Sequence, residues 1–563
     1  MTTDGKSAPT PASSARKKRS WPIKFWPSLS IIGILLGTLF FAASLTPSLL
    51  PRTIVVQGAL SGLSFAIGYA MGAGLEWLWQ YAELPQLRRG AWRVLKIIAV
   101  LICAITAMVF LWKATEWQNS IRTLMKMEPI DSAGPIEVGL IALASFAVLF
   151  LVGKLFRLTI HAASNRLRHL MPRRLANVLG ITIAIILFWS IINGFLLRFA
   201  LHSADASFAK FDALIEVDRE EPAAGKTGST TSLLNWEELG RAGREFIAAG
   251  PSRSELETFL GGVAKEPIRV YVGLRSAENP QERARLALEE LKRVGGFDRS
   301  ILVIITPTGT GWVDPAAINS LEYLQRGDVA SVAMQYSYLS SPLTLFVDPQ
   351  YGADSARALF SEIYSYWSAL PKDKRPRLYL HGLSLGAMNS EQSTELFEVL
   401  GDPYNGALWS GPPYPSRLWH SLTEGRNPGS PAWLPTVRDG AFVRFMNQDG
   451  TKLPEGTPWG PMRVVYLQYA SDAITFFDYH DFYRPPQWLN PRGPDVSPEL
   501  TWYPIVTALQ IAVDTALATS APVGFGHVFA PAHYIDAWIA VVDIRDWPPE
   551  EITRLKQHLA TER

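Results

Sequence analysis

The segment with the clearest capacity for chemistry is Gly382-Leu383-Ser384-Leu385-Gly386. It follows Arg377–His381 (RLYLH), an apolar strand pattern, and precedes AMNSEQSTELFEVL, a helix pattern. A G-x-S-x-G between a strand and a helix is the setting of a nucleophile elbow. Gly382 and Gly386 answer a steric need, because so tight a turn leaves no room for neighbouring Cβ atoms. The turn lifts the Ser384 hydroxyl clear of the sheet. It also aims the Leu385 N–H into the site at the start of a helix, where it can stabilise an oxyanion. Five residues alone specify little, and a structural serine in a tight turn is the competing reading. The flanking strand and helix favour the catalytic one.

A serine hydroxyl needs a base, and the usual chain order in such proteins is Ser, then Asp or Glu, then His. Asp472 lies just past RVVYLQYAS, at the end of a strand pattern, where ligand-facing residues of parallel sheets collect. Asp449, Asp478 and Asp481 compete, but none ends so clear a strand; a helix-capping Asp is the bland alternative for Asp472. His480, His527, His533 and His558 follow it. His527 lies in the loop Gly524-Phe525-Gly526-His527. His533 follows Pro531 and opens a helix, whose N-terminus disfavours the imidazolium that a base must become. His527 is therefore the expected base, with His533 as the alternative. His480, between Asp478 and Asp481, reads as part of a polar loop, and His558 as a solvated residue of the last helix.

The second oxyanion donor is expected in the loop after the apolar strand Ser300–Ile305 (SILVII), at Thr308, Gly309 or Thr310. No Gly-Lys-Ser/Thr follows that strand, which argues against a phosphate loop, and no HExxH or paired zinc spacing occurs. Neither metal nor cofactor is expected. In the resulting chemistry His527 takes the Ser384 proton during attack on an ester carbonyl. Asp472 orients the imidazole and stabilises its charged form. Water as acceptor gives a hydrolase and another alcohol an acyltransferase; one triad serves both.

The elements that must hold these residues alternate. Strand patterns cover Ile268–Leu274, Ser300–Ile305, Val329–Tyr336, Arg377–His381, Gly406–Ser410, Phe442–Met446 and Arg463–Ala470. Helical patterns cover Gln281–Arg293 and Ala353–Leu370. Apolar strands separated by helices predict a mainly parallel α/β sheet over 267–563. Residues 199–266, rich in charge, Gly, Ser and Thr at their start, read as a linker or lid.

The whole chain has 563 residues, 48% apolar and only 18% charged, with a mean hydropathy of +0.08. About 25% charged is usual for a soluble domain. A single cysteine, Cys103, excludes an intramolecular disulfide. The net charge of +2 is a cancellation: residues 1–198 carry 21 Lys and Arg against 7 Asp and Glu, and residues 199–563 carry 32 against 44. A basic apolar half joined to an acidic half speaks for two solvents, not for nucleic acid.

Behind a basic tail (1–27), residues 28–198 hold five apolar runs: Phe25–Pro51, Thr53–Leu75, Ile97–Trp112, Val138–Gly153 and Leu175–Leu197. A spanning helix needs ~20 apolar residues. The first, second and fifth runs meet this unaided. The third and fourth need flanking residues such as Lys96, Lys113 and Lys154, whose stems can snorkel. The first run is too long for a signal-peptide core and its end is a poor cleavage site. GALSGLSFAIGYAMGAG, in the second, predicts close helix packing. Lys and Arg concentrate in the tail and in the loops 88–96 and 154–174. Positive charge collects inside, so the N-terminus is expected in the cytoplasm and, after five spans of the plasma or inner membrane, the acidic half outside.

Three stretches carry a likeness: SLTPSLLPR (Ser44–Arg52), WEELGRAGREF (Trp236–Phe246), and HGLSLGAMNS (His381–Ser390) with GALWSGPPYPSRLW (Gly406–Trp419) after it. In these the chain resembles a bacterial family of membrane proteins with an N-terminal multi-helix domain and a C-terminal α/β-hydrolase domain. The resemblance covers nearly the whole chain. It implies a Ser-Asp-His hydrolase and carries over Ser384. One departure stands out: a strand should precede the catalytic His, yet Pro498–Ala518 reads as a helix, either an inserted cap or a segment lying against the membrane. Membrane attachment, with Tyr404, Trp409, Tyr414, Trp419, Trp433 and Trp459 near the site candidates, favours a lipid-like or other acyl-ester substrate, although any one of these aromatics is most simply core. The competing class is an inactive fold that binds lipid or a partner protein. A transporter is a weaker third reading, opposed by the lack of intramembrane charge. Oligomeric state is not legible.

Overall fold

The structure is a computed structural model. It describes residues 29–85, 89–191, 212, 222–339, 350–394 and 399–561. The basic tail, the ends of the first and fifth apolar runs and the start of the expected linker lie outside the described residues.

The N-terminal half is a set of helices: α1 (Ile31–Leu45), α2 (Ile54–Tyr81), α3 (Arg89–Leu124), α4 (Pro135–Leu167) and α5 (Arg173–Trp189). Three helical segments are long and apolar enough to cross a membrane: Ile54–Tyr81, Val94–Leu124 and Pro135–Leu167. The third and fourth runs reach spanning length with their flanking residues, as expected. They lie in the two longest helices, because Lys and Arg at their ends do not interrupt backbone hydrogen bonding. The first run yields a 15-residue helix. Pro47 and Pro51 follow it, and proline forbids continuation. The described part of α5 has 17 residues. Among the described residues three helices are thus long and apolar enough to span, and Ile31–Leu45 is a shorter apolar helix; five spans are not found there, and the end of the fifth run lies outside the described residues.

Glycines on two faces of α2 set the packing. A Cβ at Gly68 or Gly72 would lie 2.6 Å from the Leu36 carbonyl oxygen or 2.4 Å from that of Ile32, both on α1. A Cβ at Gly58 or Gly62 would meet Ile141 or Ala142 of α4 at 2.6 or 2.5 Å. Two GxxxG spacings thus let α2 touch both neighbours backbone to backbone. The pairs Gly33–Tyr69 and Gly37–Phe65 make α1 and α2 antiparallel, Gly58–Val138 with Gly62–Ala142 makes α2 and α4 parallel, and Gly180–Ser164 with Phe188–Phe156 makes α4 and α5 antiparallel. Ile97, Leu101, Ile105, Met108 and Trp112 on α3, and Leu140, Leu143, Leu151 and Leu155 on α4, are exposed. Helices that present apolar side chains outward are built for a lipid solvent.

The C-terminal half is an α/β domain. Its seven strands are β1 (Ile268–Val272), β2 (Ile301–Thr306), β3 (Val329–Met334), β4 (Arg377–Leu383), β5 (Gly406–Ser410), β6 (Val443–Met446) and β7 (Arg463–Leu467). They form one sheet in the order β1-β3-β2-β4-β5-β7-β6, and every neighbouring pair is parallel. β2 and β3 are buried along their whole length, which is why they read as unbroken apolar runs. All seven predicted strands are present, within a few residues at their ends. Tyr404, Trp409, Trp419 and Trp433 are buried in the core of this domain.

Two expectations change. Much of the stretch read as a linker is built into the domain: helices Gly240–Ala248 and Arg253–Leu260 bury Phe246 and Leu256, and Gly243 lies against the Tyr271 ring. Between β7 and His527 there is no strand among the described residues. The edge next to β7 is already occupied by β6, so the chain reaches His527 through the helix Val506–Leu517 instead. That helix packs against α1 and α2. It therefore lies against the N-terminal helices.

Candidate active site

β4 ends at Leu383 and the helix Leu385–Glu391 begins two residues later. Ser384 forms the whole turn, with φ 58° and ψ −124°. This backbone region is strained for a non-glycine residue. The strain is held from both sides. A Cβ at Gly382 would sit 2.5 Å from the Gly386 carbonyl, and one at Gly386 would sit 2.2 Å from the Thr306 carbonyl oxygen. Elbow and the loop after β2 are thus in backbone contact, and only glycine permits it.

Within that loop the Thr308 amide donates to the Trp312 carbonyl (3.0 Å), and the Gly311 amide donates to the Thr308 carbonyl. This corrects one expectation: Thr308 N–H closes the turn and is not available to an oxyanion. Gly309 and Thr310 stay in the same loop beside the elbow.

Asp472 lies five residues past the end of β7, is fully buried, and caps the short helix Ala473–Phe476. Its Oδ1 accepts from the Ile474 amide (2.9 Å) and more distantly from the Thr475 amide (3.4 Å). Its Oδ2 accepts from Thr475 Oγ1 (3.1 Å) and from His527 Nδ1 (2.7 Å). Capping the helix therefore leaves Asp472 Oδ2, which it shares with Thr475 Oγ1, free to hold the His527 imidazole. With Nδ1 donating, the lone pair of His527 sits on Nε2. That atom is buried and has no hydrogen-bond partner among the described residues.

Ser384 and His527 flank a single peptide. The Ser384 amide donates to the Ser410 carbonyl (2.9 Å). The next residue, Gly411, has φ +49°, and a Cβ there would lie 2.6 Å from His527 Cε1 and 2.9 Å from Asp472 Oδ2. The other histidines are elsewhere. His533 Nδ1 pairs with the Tyr469 hydroxyl (2.6 Å) at the start of the helix Pro531–Val542, and burial pushes its pKa down. His480 binds Asp478 (2.7 Å) in a 3-10 turn. His558 is not simply solvated: it bonds the Tyr323 hydroxyl (3.0 Å) and stacks on Phe259. His381, beside the elbow, bonds the Leu408 carbonyl through Nδ1 (2.8 Å), and burial lowers its pKa to about 4, so it is neutral and structural.

Several residues of this neighbourhood were not picked out from sequence. Ser471 Oγ donates to Asp495 (2.6 Å) and accepts from the Gly526 amide (2.9 Å), tying the Asp472 turn to the His527 loop. Gln448 bridges Asp495 and the Gly524 carbonyl. Only adjacency to Asp472 and His527 could have marked Ser471 and Gly526; Asp495 and Gln448 carry no local signal.

Residues 268–555 match the model of an alpha/beta-hydrolase family, and residues 45–251 match the model of the same family's N-terminus. The chain belongs to this alpha/beta-hydrolase family. The family match takes in all seven strands, the elbow, Asp472 and His527. The N-terminal match takes in most of SLTPSLLPR and the described helices α2 to α5. No curated protein and no solved structure matches the chain.

Glu391 ends the elbow helix, buried, with Tyr466 donating to it (3.0 Å). Burial raises its pKa to about 8. A folded-state pKa above the unfolded value of ~4.3 means that the native state holds a proton the unfolded chain releases. Stability should therefore fall as pH rises from about 4.5 to 8. Glu391→Gln keeps an acceptor for Tyr466 and removes the titration. Melting temperatures at pH 5 and pH 8.5 should differ less in this variant than in the wild type, and the variant should be the more stable protein at pH 8.5.

Proposed function

We propose that the protein is a membrane-bound serine hydrolase that cleaves acyl esters through Ser384, His527 and Asp472. The observation that carries this is the meeting of a strained Ser384 with a buried Asp472–His527 pair across the Ser410–Gly411 peptide. His527 Nε2 accepts the Ser384 proton as Oγ attacks the ester carbonyl. Asp472 holds the imidazole by Nδ1 and balances its charge. The Leu385 N–H, with Gly309 or Thr310, holds the oxyanion. The proton then passes to the leaving alcohol, and water releases the acyl group by the same route in reverse.

The apolar helices favour a lipid-like ester. The C-terminal domain docks at the α1–α2 connection and near the C-terminal end of α3, through Arg52–Asp514 and Ser120–Ser497. The basic stretches 89–96 and 154–174 lie at the start of α3, in the C-terminal part of α4 and at the start of α5, toward the opposite helix ends. By the positive-inside rule this supports an extracytoplasmic catalytic domain in the plasma or inner membrane.

A membrane-impermeant fluorophosphonate probe tests chemistry and topology together. Applied to intact cells, it should label the protein, with the adduct mapping to Ser384, and purified protein should hydrolyse short nitrophenyl esters. A wild-type protein that neither labels nor turns over any ester sinks the reading in favour of a lipid- or partner-binding fold. Labelling only after lysis overturns the topology.

A further inference from the structure

We propose that the Ser44–Arg52 segment, which joins α1 to α2, positions the catalytic Asp472–His527 pair, with Arg52, Asp514 and Leu50 as positioning residues. The proposal rests on the hydrolase reading above.

Connections between helices normally run over the surface. This one is buried: Leu45, Leu49, Leu50 and Arg52 are each less than one-tenth exposed. Its partner is the helix Val506–Leu517. Asp514 of that helix is fully buried and receives the Leu49 amide (3.0 Å), the Leu50 amide (3.3 Å) and Arg52 Nε (2.9 Å). The Arg52–Asp514 ion pair is 2.8 Å long, with both side chains wholly out of solvent. Gln510, one turn earlier, donates to the Thr46 carbonyl (2.9 Å), and its own carbonyl accepts from Arg52 (3.2 Å). The Arg52 amide donates to Gln118 of α3 (2.9 Å). One short segment thus gathers α1, α2, α3 and the C-terminal domain.

The same helix touches both halves of the catalytic pair. Thr515, next to Asp514, donates to the Ala473 carbonyl (3.2 Å), in the turn that Asp472 caps. Ala518, just past the helix, accepts from the His527 amide (3.3 Å). Leu50 itself reaches the His527 loop, since a Cβ at Gly526 would lie 3.2 Å from Leu50 Cδ2. In place of a strand ahead of the histidine, this chain uses a helix clamped to the segment between α1 and α2.

Burying an arginine and a carboxylate together adds little net stability over an apolar pair, but it allows one register only. A shift of about 1 Å in a catalytic group can cost ~100-fold in rate. The clamp therefore bears on turnover more than on substrate affinity.

The test uses full-length protein in detergent and a short soluble ester, with active sites titrated by fluorophosphonate so that kcat is counted per reactive Ser384. Asp514→Asn keeps an acceptor for the two amides but leaves Arg52 without its counter-charge. It should lower kcat per site about tenfold or more and change KM less than about twofold. The acid limb of the kcat/KM profile should move to lower pH, because a loosened Asp472 stabilises imidazolium less. Leu50→Ala, a milder change, should move all three in the same direction and decides alone if Asp514→Asn does not fold. Wild-type kcat per site and an unmoved acid limb overturn the proposal, including the case where only the number of titratable sites falls. If wild-type Ser384 itself does not react, the hydrolase reading has failed instead.

Discussion

Asp472→Asn is expected to reduce kcat by a factor on the order of 10^4 while the protein stays folded. The local geometry gives the reason. Asp472 Oδ1 serves the Ile474 and Thr475 amides, whereas Oδ2 serves His527 Nδ1 and the Thr475 hydroxyl. An asparagine can keep its carbonyl oxygen on the amides, so the helix cap survives. Its NH2 group then faces Nδ1 and donates to it. The imidazole must carry its proton on Nε2, and in that tautomer it cannot accept one from Ser384. The loss corresponds to ~5.5 kcal/mol of transition-state stabilisation. Steady-state kinetics on a nitrophenyl ester, alongside a melting curve, reads both quantities. A variant within about tenfold of wild type would mean that Asp472 is a cap and nothing more.

Gly411→Ala should cost at least about 100-fold in kcat by a different route. The new methyl carbon would lie 2.6 Å from His527 Cε1 and 2.9 Å from both His527 Nδ1 and Asp472 Oδ2. These atoms belong to the Asp472–His527 pair, so relief of the clash displaces the imidazole or breaks its bond to Asp472. The φ of +49° adds roughly 1–2 kcal/mol of backbone strain. Gly429→Ala separates the two effects. Its φ is +83°, and nothing lies within 4 Å of the added Cβ, so it suffers the strain without the collision. Gly429→Ala should lose some thermal stability and keep its turnover. Equal activities in the two variants would remove Gly411 from the account of the site.

Much of this protein is legible before any coordinates. The strand–turn–helix at Ser384 is local, and its glycines are needed by contacts within five residues and with one neighbouring loop. The seven strands are legible because a parallel sheet buries both faces, which turns β2 and β3 into continuous apolar runs. Asp472 is legible because it follows β7 closely, and His527 because the competing His533 opens a helix. The close packing of α2 is written in its glycine spacing.

What sequence left open was decided by contacts between distant segments. Helix lengths in the membrane part differ from the apolar run lengths, because snorkelling side chains extend a helix and Pro47 ends one. Thr308 was lost as an oxyanion donor to a hydrogen bond that spacing does not reveal. The Asp495–Ser471–Gly526 chain and the Arg52–Asp514 pair join residues 24 to 462 positions apart. Sequence by itself determined the chemistry available, since side-chain type and local turn geometry are properties of a few consecutive residues. Tertiary structure alone decided which acid meets which base, and that the segment between α1 and α2 is bonded to the helix Val506–Leu517. Those facts depend on burial and on hydrogen bonds between remote parts of the chain, and no local pattern encodes them.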